Sequence, residues 1–493
     1  MKLAAIRVCM KLAFNYRSYS RLLFAAILGI CGALSAQESS TNSAAAPSGT
    51  SVTQKRPSRK KPAEPPTVKF DASAIGYSSA SPADNGSVQQ FQAEMDLVKP
   101  GDLSGRFNML VGAFNTESSF YYALPEAYLA YGDKYASLSG GRKIENFSAV
   151  DRIFNFGLFE GHQTNDMINF NRGGLVMLSA HYNTGSNSGF FIGYSPLFVP
   201  NQGPQITAKD GKIISGNRWA ASPPKQFKFG DQNQEIIYAV SDFNLVDILM
   251  NTGIVANAYF GENRERPLLN LSFAKKPIND LVLSRDTFAD ISTFQGNVIL
   301  TPHVLFHEIY AADMNLDFGI LKTTLSYVQD TPTNKIAPEL ETIQNLEAIQ
   351  VTSFYMGADL TRWFGQPVEI YAAAAQIAGG AIKDITSDGQ PGSFSFSTSR
   401  TQYRRPLKAG VKGELMQISG RPLATDLSMI YDQELKGSLL SAKFRYAVNQ
   451  NLNLSLAADI IGVESEIADG TQSNFLDQNQ ANDRISAGVG YAF

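Results

Sequence analysis

The sequence predicts an all-β fold, a transmembrane antiparallel β-barrel of about 18 strands, within a range of roughly 16–20. Three observations predict it. The last eleven residues alternate between an apolar and a polar or small face. The same period-two pattern returns through most of the chain. The segments that break it are by turns short and long, as they are when tight turns lie on one side of a membrane and long loops on the other.

The terminal segment is the clearest strand. Ile485, Ala487, Val489, Tyr491 and Phe493 share one face, and Arg484, Ser486, Gly488, Gly490 and Ala492 the other. A bare apolar edge invites aggregation, whereas a barrel pairs its last strand with its first and leaves no edge.

Residues 1–36 have the form of an export signal. Lys2, Arg7, Lys11, Arg17 and Arg21 form a basic region, residues 22–34 an apolar one, and small residues follow with cleavage expected near Ala36. Cys31 raises a lipid-anchored alternative, against which the bulky Ile30 argues. Cys9 and Cys31 are the only cysteines, so no disulfide or thiol chemistry is expected beyond the signal. The chain carries a net charge of −3, and removing the five basic residues leaves about −8.

Residues 37–66 are rich in Ser, Ala, Thr and Pro and lack the large apolar residues needed for a core. Their basic run, Lys55, Arg56, Arg59, Lys60 and Lys61, reads either as a solvated tether or as a contact for anionic lipid or wall polymer. Residues 67–493 form the expected barrel. No body segment reaches the ~18 consecutive apolar residues of a spanning helix.

Strands are expected from Val68, around Phe91, and near 104–114, 124–132, 135–143, 173–183 and 188–197. In the second half they fall near 252–261, 267–275, 299–311, 314–328, 351–363, 367–378, 401–416, 423–432, 440–448, 452–461 and 483–493. Short turns fall at 99–102, 132–133, 261–266, 311–313, 365–367, 419–422 and 449–451. Long connections cover 276–298, 330–349, 379–400 and 462–482. Residues 198–234 read as a loop, and 245–250 as either strand or short helix. Counting 235–242 as a strand gives an odd total, which would separate the termini. Treating 198–251 as one external region gives about 18 strands; a strand hidden in 276–298 would give about 20. The smaller number keeps every long connection outside.

Two stretches resemble known proteins. The aromatic-terminated last strand resembles that of bacterial outer-membrane barrels, where assembly machinery recognises the terminal aromatic. Pro125-Glu126-Ala127-Tyr128-Leu129, then Gly140-Gly141-Arg142-Lys143 and Asp151-Arg152, resemble the general-porin pattern over roughly 50 residues. There, a strand ending in Gly-Arg leads into a loop that folds inward and narrows the pore. The resemblance implies that 143–172 is such a constriction loop; an ordinary external loop is the alternative. It also implies a Gram-negative-type outer membrane, contact with its lipid and lipopolysaccharide, and a homotrimer.

Charge placement adds candidate residues. Lys408 and Lys412 oppose Leu407, Ala409 and Val411; Lys443 and Arg445 oppose Ala442 and Phe444; Arg484 opposes Ile485. A cation at mid-bilayer on the lipid face costs roughly 2–4 kcal/mol, so these side chains should face the lumen. With Arg142, Glu145, Asp151, Arg152 and Glu160 on the loop, they would form a charged constriction that filters solutes by size and sign. Solvation of a wide lumen is the equally simple alternative. Tyr121, Tyr122, Trp363, Phe364, Tyr403, Tyr491 and Phe493 lie near strand ends, where interfacial girdles need aromatics.

An enzyme needs a constellation that the sequence does not supply. His303 and His307 on one strand would stand ~13 Å apart, too far to share a metal. No nucleophile elbow or phosphate-binding loop is present. The expectation is therefore a channel passing small hydrophilic solutes, with no cofactor, metal or nucleic-acid partner. Alternatives are a selective transporter of a sugar acid or polysaccharide, a barrel lipid hydrolase, and a plugged structural anchor.

Overall fold

In the computed structural model, residues 65–493 are described except 79–88, 116–119, 134, 185–186, 205, 216, 221–222, 224, 230–231, 262–265, 291–294, 391–398 and 465–474. The export signal and all but the last two residues of the linker lie outside the described residues.

Eighteen strands form one closed antiparallel sheet. In chain order they are β1 (Thr67–Tyr77), β2 (Gln89–Lys99), β3 (Leu103–Phe114), β4 (Phe120–Gly132), β5 (Ala136–Lys143) and β6 (Leu175–Asn183). Next come β7 (Ser188–Ser195), β8 (Gly253–Phe260), β9 (Leu269–Pro277), β10 (Phe306–Phe318), β11 (Leu321–Thr333) and β12 (Ile349–Asp359). The last six are β13 (Val368–Gly379), β14 (Pro406–Ile418), β15 (Arg421–Asp432), β16 (Gly437–Ala447), β17 (Leu452–Val463) and β18 (Arg484–Ala492). Each pairs with its sequence neighbours, and β18 closes on β1 in a register running from Lys69↔Ala492 to Tyr77↔Arg484. The Phe493 amide adds a hydrogen bond to the Val68 carbonyl at 2.9 Å. Both described chain ends of the barrel therefore lie at the short-turn end.

Alternation decides which side chains meet lipid. Phe91, Phe120, Leu129, Phe190, Ile192, Ile254, Leu325, Ile370, Leu456 and Ile485 point outward and are exposed. Tyr122, Tyr194, Tyr310 and Tyr327 stand towards the long-loop end of this band, and Tyr131, Trp363 and Tyr491 towards the other. These are the positions of interfacial aromatic belts. Within the stretch that resembles the porin pattern, Gly141 is required by geometry. Its φ is +123°, and a Cβ there would lie 2.3 Å from the Ala127 carbonyl oxygen.

Residues 198–251 supply no wall strand and the strand number is 18, but the region is not wholly external, since residues 217–220 turn into the lumen. The expected strands 299–311 and 314–328 are misplaced. Gln295–His303 leaves the barrel, and the tight turn falls at Gly319-Ile320 rather than at 311–313. Ala311-Ala312-Asp313 looked like a turn because it is small and polar. In the fold, Ala311 and Asp313 point inward against another chain segment, where small and polar residues are needed. Gly319 instead takes φ +78° and donates its amide to Asp317 Oδ1 at 2.9 Å.

The long connections are not featureless. They build a six-stranded sheet beyond the barrel rim, in the order Gln226–Phe229, Gln232–Val240, Gln295–His303, Val282–Asp290, Glu341–Leu346 and Ile382–Thr386. Residues 245–249 form the short helix Leu245–Leu249.

This rim sheet holds a buried Arg285–Asp384 ion pair at 2.6 Å. Burial pushes the Asp384 carboxyl up to about 6, and the Arg285 charge pulls against that rise. The carboxyl thus binds its proton more tightly in the folded sheet than in the unfolded chain. Sheet stability should fall as pH rises from about 4 to 6, by at most ~3 kcal/mol, and stay level above that. Protection of Ile382–Thr386 from hydrogen exchange, relative to the unfolded chain at the same pH, should be greater at the acid end of this window. Lesser protection there would mean that ionisation stabilises the pair.

Candidate functional site

The lumen is defined by the residues that alternation turns inward and by one segment that crosses it. Residues 144–174, between β5 and β6, contain the helix Ala149–Phe154 and the short hairpin Gly161–Gln163 with Asn171–Gly173. They touch the inner wall on opposite sides. The Phe147 carbonyl accepts from Asn270 Nδ2 at 3.2 Å and Ser272 Oγ at 2.6 Å, both on β9. The Ala149 amide donates to Asp313 Oδ2 of β10 at 2.9 Å. Lys408 Nζ of β14 reaches the Ile153 carbonyl at 2.8 Å, and Lys443 Nζ of β16 reaches Asn169 Oδ1 at 2.6 Å. Arg484 of β18 pairs with Asp166 at 2.7 Å. A segment bonded to β9, β10, β14, β16 and β18 crosses the bore.

Apolar packing holds it on one side. Phe147, Val150, Phe154 and Phe159 are buried with inward-facing Val255, Ala274, Ile309, Ala311, Val328, Val351, Ala373 and Ala375. The wall alanines leave the volume that the loop phenylalanines fill. Phe147 and Phe159 stack with centroids 5.2 Å apart. At roughly 1.5–3 kcal/mol per buried large side chain, this cluster outweighs any single polar contact in seating the loop.

Several of the expected charges hold the loop. Arg142 is buried and donates from Nε to the Gly174 carbonyl at 3.0 Å, joining the two ends of the loop. Asp151 is buried and accepts the Leu158 and Phe159 amides at 3.2 and 3.3 Å. Glu160 is buried, ion-paired to Arg172, and accepts the Glu145 amide at 2.5 Å. Glu145 itself pairs with Lys143 at 2.5 Å. Arg484 is enclosed between Asp166 and Asp459, the latter at 2.8 Å.

The remaining candidates are more open. Lys412 is half-exposed, 3.6 Å from Glu369 and 5.4 Å from the Tyr371 ring centroid. Arg445 and Arg152 are exposed. Arg152 feels the charges of Asp313, Arg172, Glu160 and Arg266, and no ion pair of it occurs among the described residues. Across the bore, Arg106 bridges Asp96 at 2.8 Å and Glu126 at 2.6 Å, and with Glu94 beside them that wall is net acidic.

Sequence reasoning missed a second insertion. Residues 217–220, from the connection between β7 and β8, enter the lumen at the β1–β18 seam. Trp219 packs with Ile75, Tyr77, Leu110, Phe114 and Tyr121, and the crossing loop's Met167 and Ile168 pack against it. Arg218 lies 3.8 Å over the Tyr77 ring and donates from Nε to Asn482 Oδ1 at 2.7 Å. The Arg-Trp dipeptide in an otherwise polar loop was its one available signal.

The histidines do not form a site together. His303 lies in the rim sheet, and His307 in β10, where its Nδ1 is 2.9 Å from Asp330 Oδ1. His303 Nε2 is 2.8 Å from Ser284 Oγ, which donates to Glu341 Oε2 at 2.5 Å. In that arrangement the serine proton goes to the glutamate, not the imidazole, and Ser284 is fully buried. This is the reverse of an activated nucleophile. No group of three or more His, Cys, Asp or Glu side chains able to hold a metal occurs among the described residues.

No family model and no curated protein matches the chain. Solved structures do. OccAB4 of Acinetobacter baumannii is 9% identical with a TM-score of 0.42, covering 87% of this chain and 98% of that one. The outer membrane protein opdK of Pseudomonas aeruginosa is 10% identical with a TM-score of 0.41, over 87% and 98%. Salmonella typhi OmpF in complex with daunomycin is 11% identical with a TM-score of 0.35, over 87% and 97%.

Proposed function

We propose that the protein is an outer-membrane channel for passive diffusion of small hydrophilic solutes, narrowed by residues 144–174. One observation carries the reading: a closed wall of 18 strands, apolar outside, encloses a bore crossed by a loop bonded to both sides. A closed barrel is one of the two backbone architectures that satisfy every main-chain group in lipid. A passage at that loop has to skirt its charged side. Arg152, Lys412 and Arg445 are the candidates to line it, while Arg142, Asp151, Glu160, Lys408, Lys443 and Arg484 hold the loop in place. Glu369, Asp426 and Glu414 share the inward rows of Lys412, Lys443 and Arg445, so the charges on this side are of both signs. Recognition of the terminal strand by assembly machinery, contact with lipopolysaccharide and a homotrimer extend the reading by resemblance alone.

Purified protein should conduct in planar bilayers and show heat-dependent gel mobility. A unit charge at ~8 Å in water is worth ~0.5 kcal/mol before salt screening, so Arg152→Glu should lower the anion-to-cation permeability ratio about fivefold. An unchanged zero-current potential would remove Arg152 from the passage. A folded but non-conducting barrel would favour the structural anchor. Block of conductance by one sugar acid or polysaccharide would favour a selective transporter.

A further inference from the structure

The connection between β7 and β8 carries the lumen insertion at 217–220. Its last part returns to the wall at the rim, beside residues 300–306. There the helix Leu245–Leu249 starts at Asn244, whose side chain accepts the Val246 amide at 3.1 Å. Ile248 turns inward and is buried. The other face is bare: Phe243, Leu245, Val246 and Met250 are 50%, 59%, 58% and 61% exposed. Single exposed apolar residues need no explanation, but four within eight residues do.

The surface below explains them. The Phe198 amide bonds the Leu249 carbonyl at 2.8 Å, which fixes the helix directly above β7. The outward residues there are Leu197, Tyr194 and Ile254, the last two paired across β7 and β8 and all exposed. The apolar surface thus continues from the lipid-facing wall to the helix, with Thr252 the exposed polar side chain between Ile254 and Met250. Two strands along, the outward Lys275–Glu308 pair, 2.8 Å apart, marks where polar headgroups begin. The helix stands at about that level, since Met250 precedes Ile254 by only four residues.

We propose that residues 243–250 are embedded in the outer leaflet, at the boundary of headgroups and acyl chains, with lipid as the partner of their exposed face. The inference rests on the barrel spanning a membrane. An amphipathic helix in this position gains from burying its apolar side while its polar side stays wet. It would also hold one end of a connection whose other part sits in the lumen.

The test uses full-length protein with Cys9 and Cys31, its only cysteines, replaced by serine. Single cysteines are introduced as Val246→Cys or, on the wall, Ile254→Cys, and labelled with an environment-sensitive fluorophore in phospholipid vesicles. Both labels should shift to the blue, and the label at 246 should be quenched by spin-labelled lipid at least half as strongly as that at 254. A blue-shifted label at 246 that spin-labelled lipid does not quench would mean protein covers the helix, overturning the inference. Water-like emission at 246 beside a quenched label at 254 would also overturn it and leave the barrel reading intact. Water-like emission at both positions would sink the barrel reading itself.

Discussion

Replacing Arg484 by methionine should raise single-channel conductance while leaving the barrel folded. Arg484 is buried between Asp166 of the crossing loop and Asp459 of the neighbouring strand. Removing the cation strands two buried carboxylates, a loss of about 3–5 kcal/mol when a buried pair is broken. The wall can absorb it, because β18 keeps its ladders to β1 and β17. The loop cannot absorb it so well, because Asp166 is its tie to this part of the wall. Asp166→Asn should therefore reproduce the gain in conductance. Asp459→Asn should change it much less, since Ser441 still donates to that side chain and the loop contact survives. A double-mutant cycle between positions 484 and 166 should give a coupling of about 1.5–3 kcal/mol in thermal unfolding. Conductance equal to the parent protein in both Arg484→Met and Asp166→Asn would mean that this loop does not set the width of the passage.

The wall was legible in the sequence because lipid imposes a strict period on it. Where the bore is wet, as at Gln92, Glu94 and Asp96 of β2, the inward face is polar and alternation is plain. The period blurs where protein covers the inner face. In β13, Tyr371, Ala373, Ala375 and Ile377 are inward and apolar because loop and wall pack there. Strand limits in β10 and β11 slipped for the same reason. Asp313 serves the Ala149 amide from across the bore, a partner 164 residues away that local pattern cannot reveal. The candidate cations of β14, β16 and β18 stand on the strand face opposite the exposed apolar residues. Their division into those that hold the loop and those open to solvent depends on long-range partners such as Arg484 and Asp166, 318 residues apart.

The largest effect on the other insertion is expected from Trp219→Ala. Trp219 is buried, its ring 6.4 Å from Tyr77 in an edge contact and its Nε1 donating to the Tyr77 hydroxyl at 3.3 Å. Truncating a buried tryptophan costs about 3–5 kcal/mol. Residues 217–220 lie in no strand, so the loss should appear as undocking of the segment rather than collapse of the wall. Met167 and Ile168 of the crossing loop would lose their support at the same time, so conductance should rise here too. The Arg484 guanidinium lies 5.9 Å from the Trp219 ring, which makes the two sites neighbours. The gain in Trp219→Ala combined with Arg484→Met should therefore fall short of the sum of the single changes. The chain has only two tryptophans, and the other, Trp363, is 72% exposed in the turn between β12 and β13. In a Trp363→Phe background the fluorescence of Trp219 can be read alone. It should be blue-shifted and shielded from acrylamide in the parent, and shift to the red in Arg218→Ala, which removes the bonds to Asn482 and the Ala481 carbonyl. Water-exposed emission from Trp219 before any change is made would place the segment outside the lumen and end this account of the second insertion.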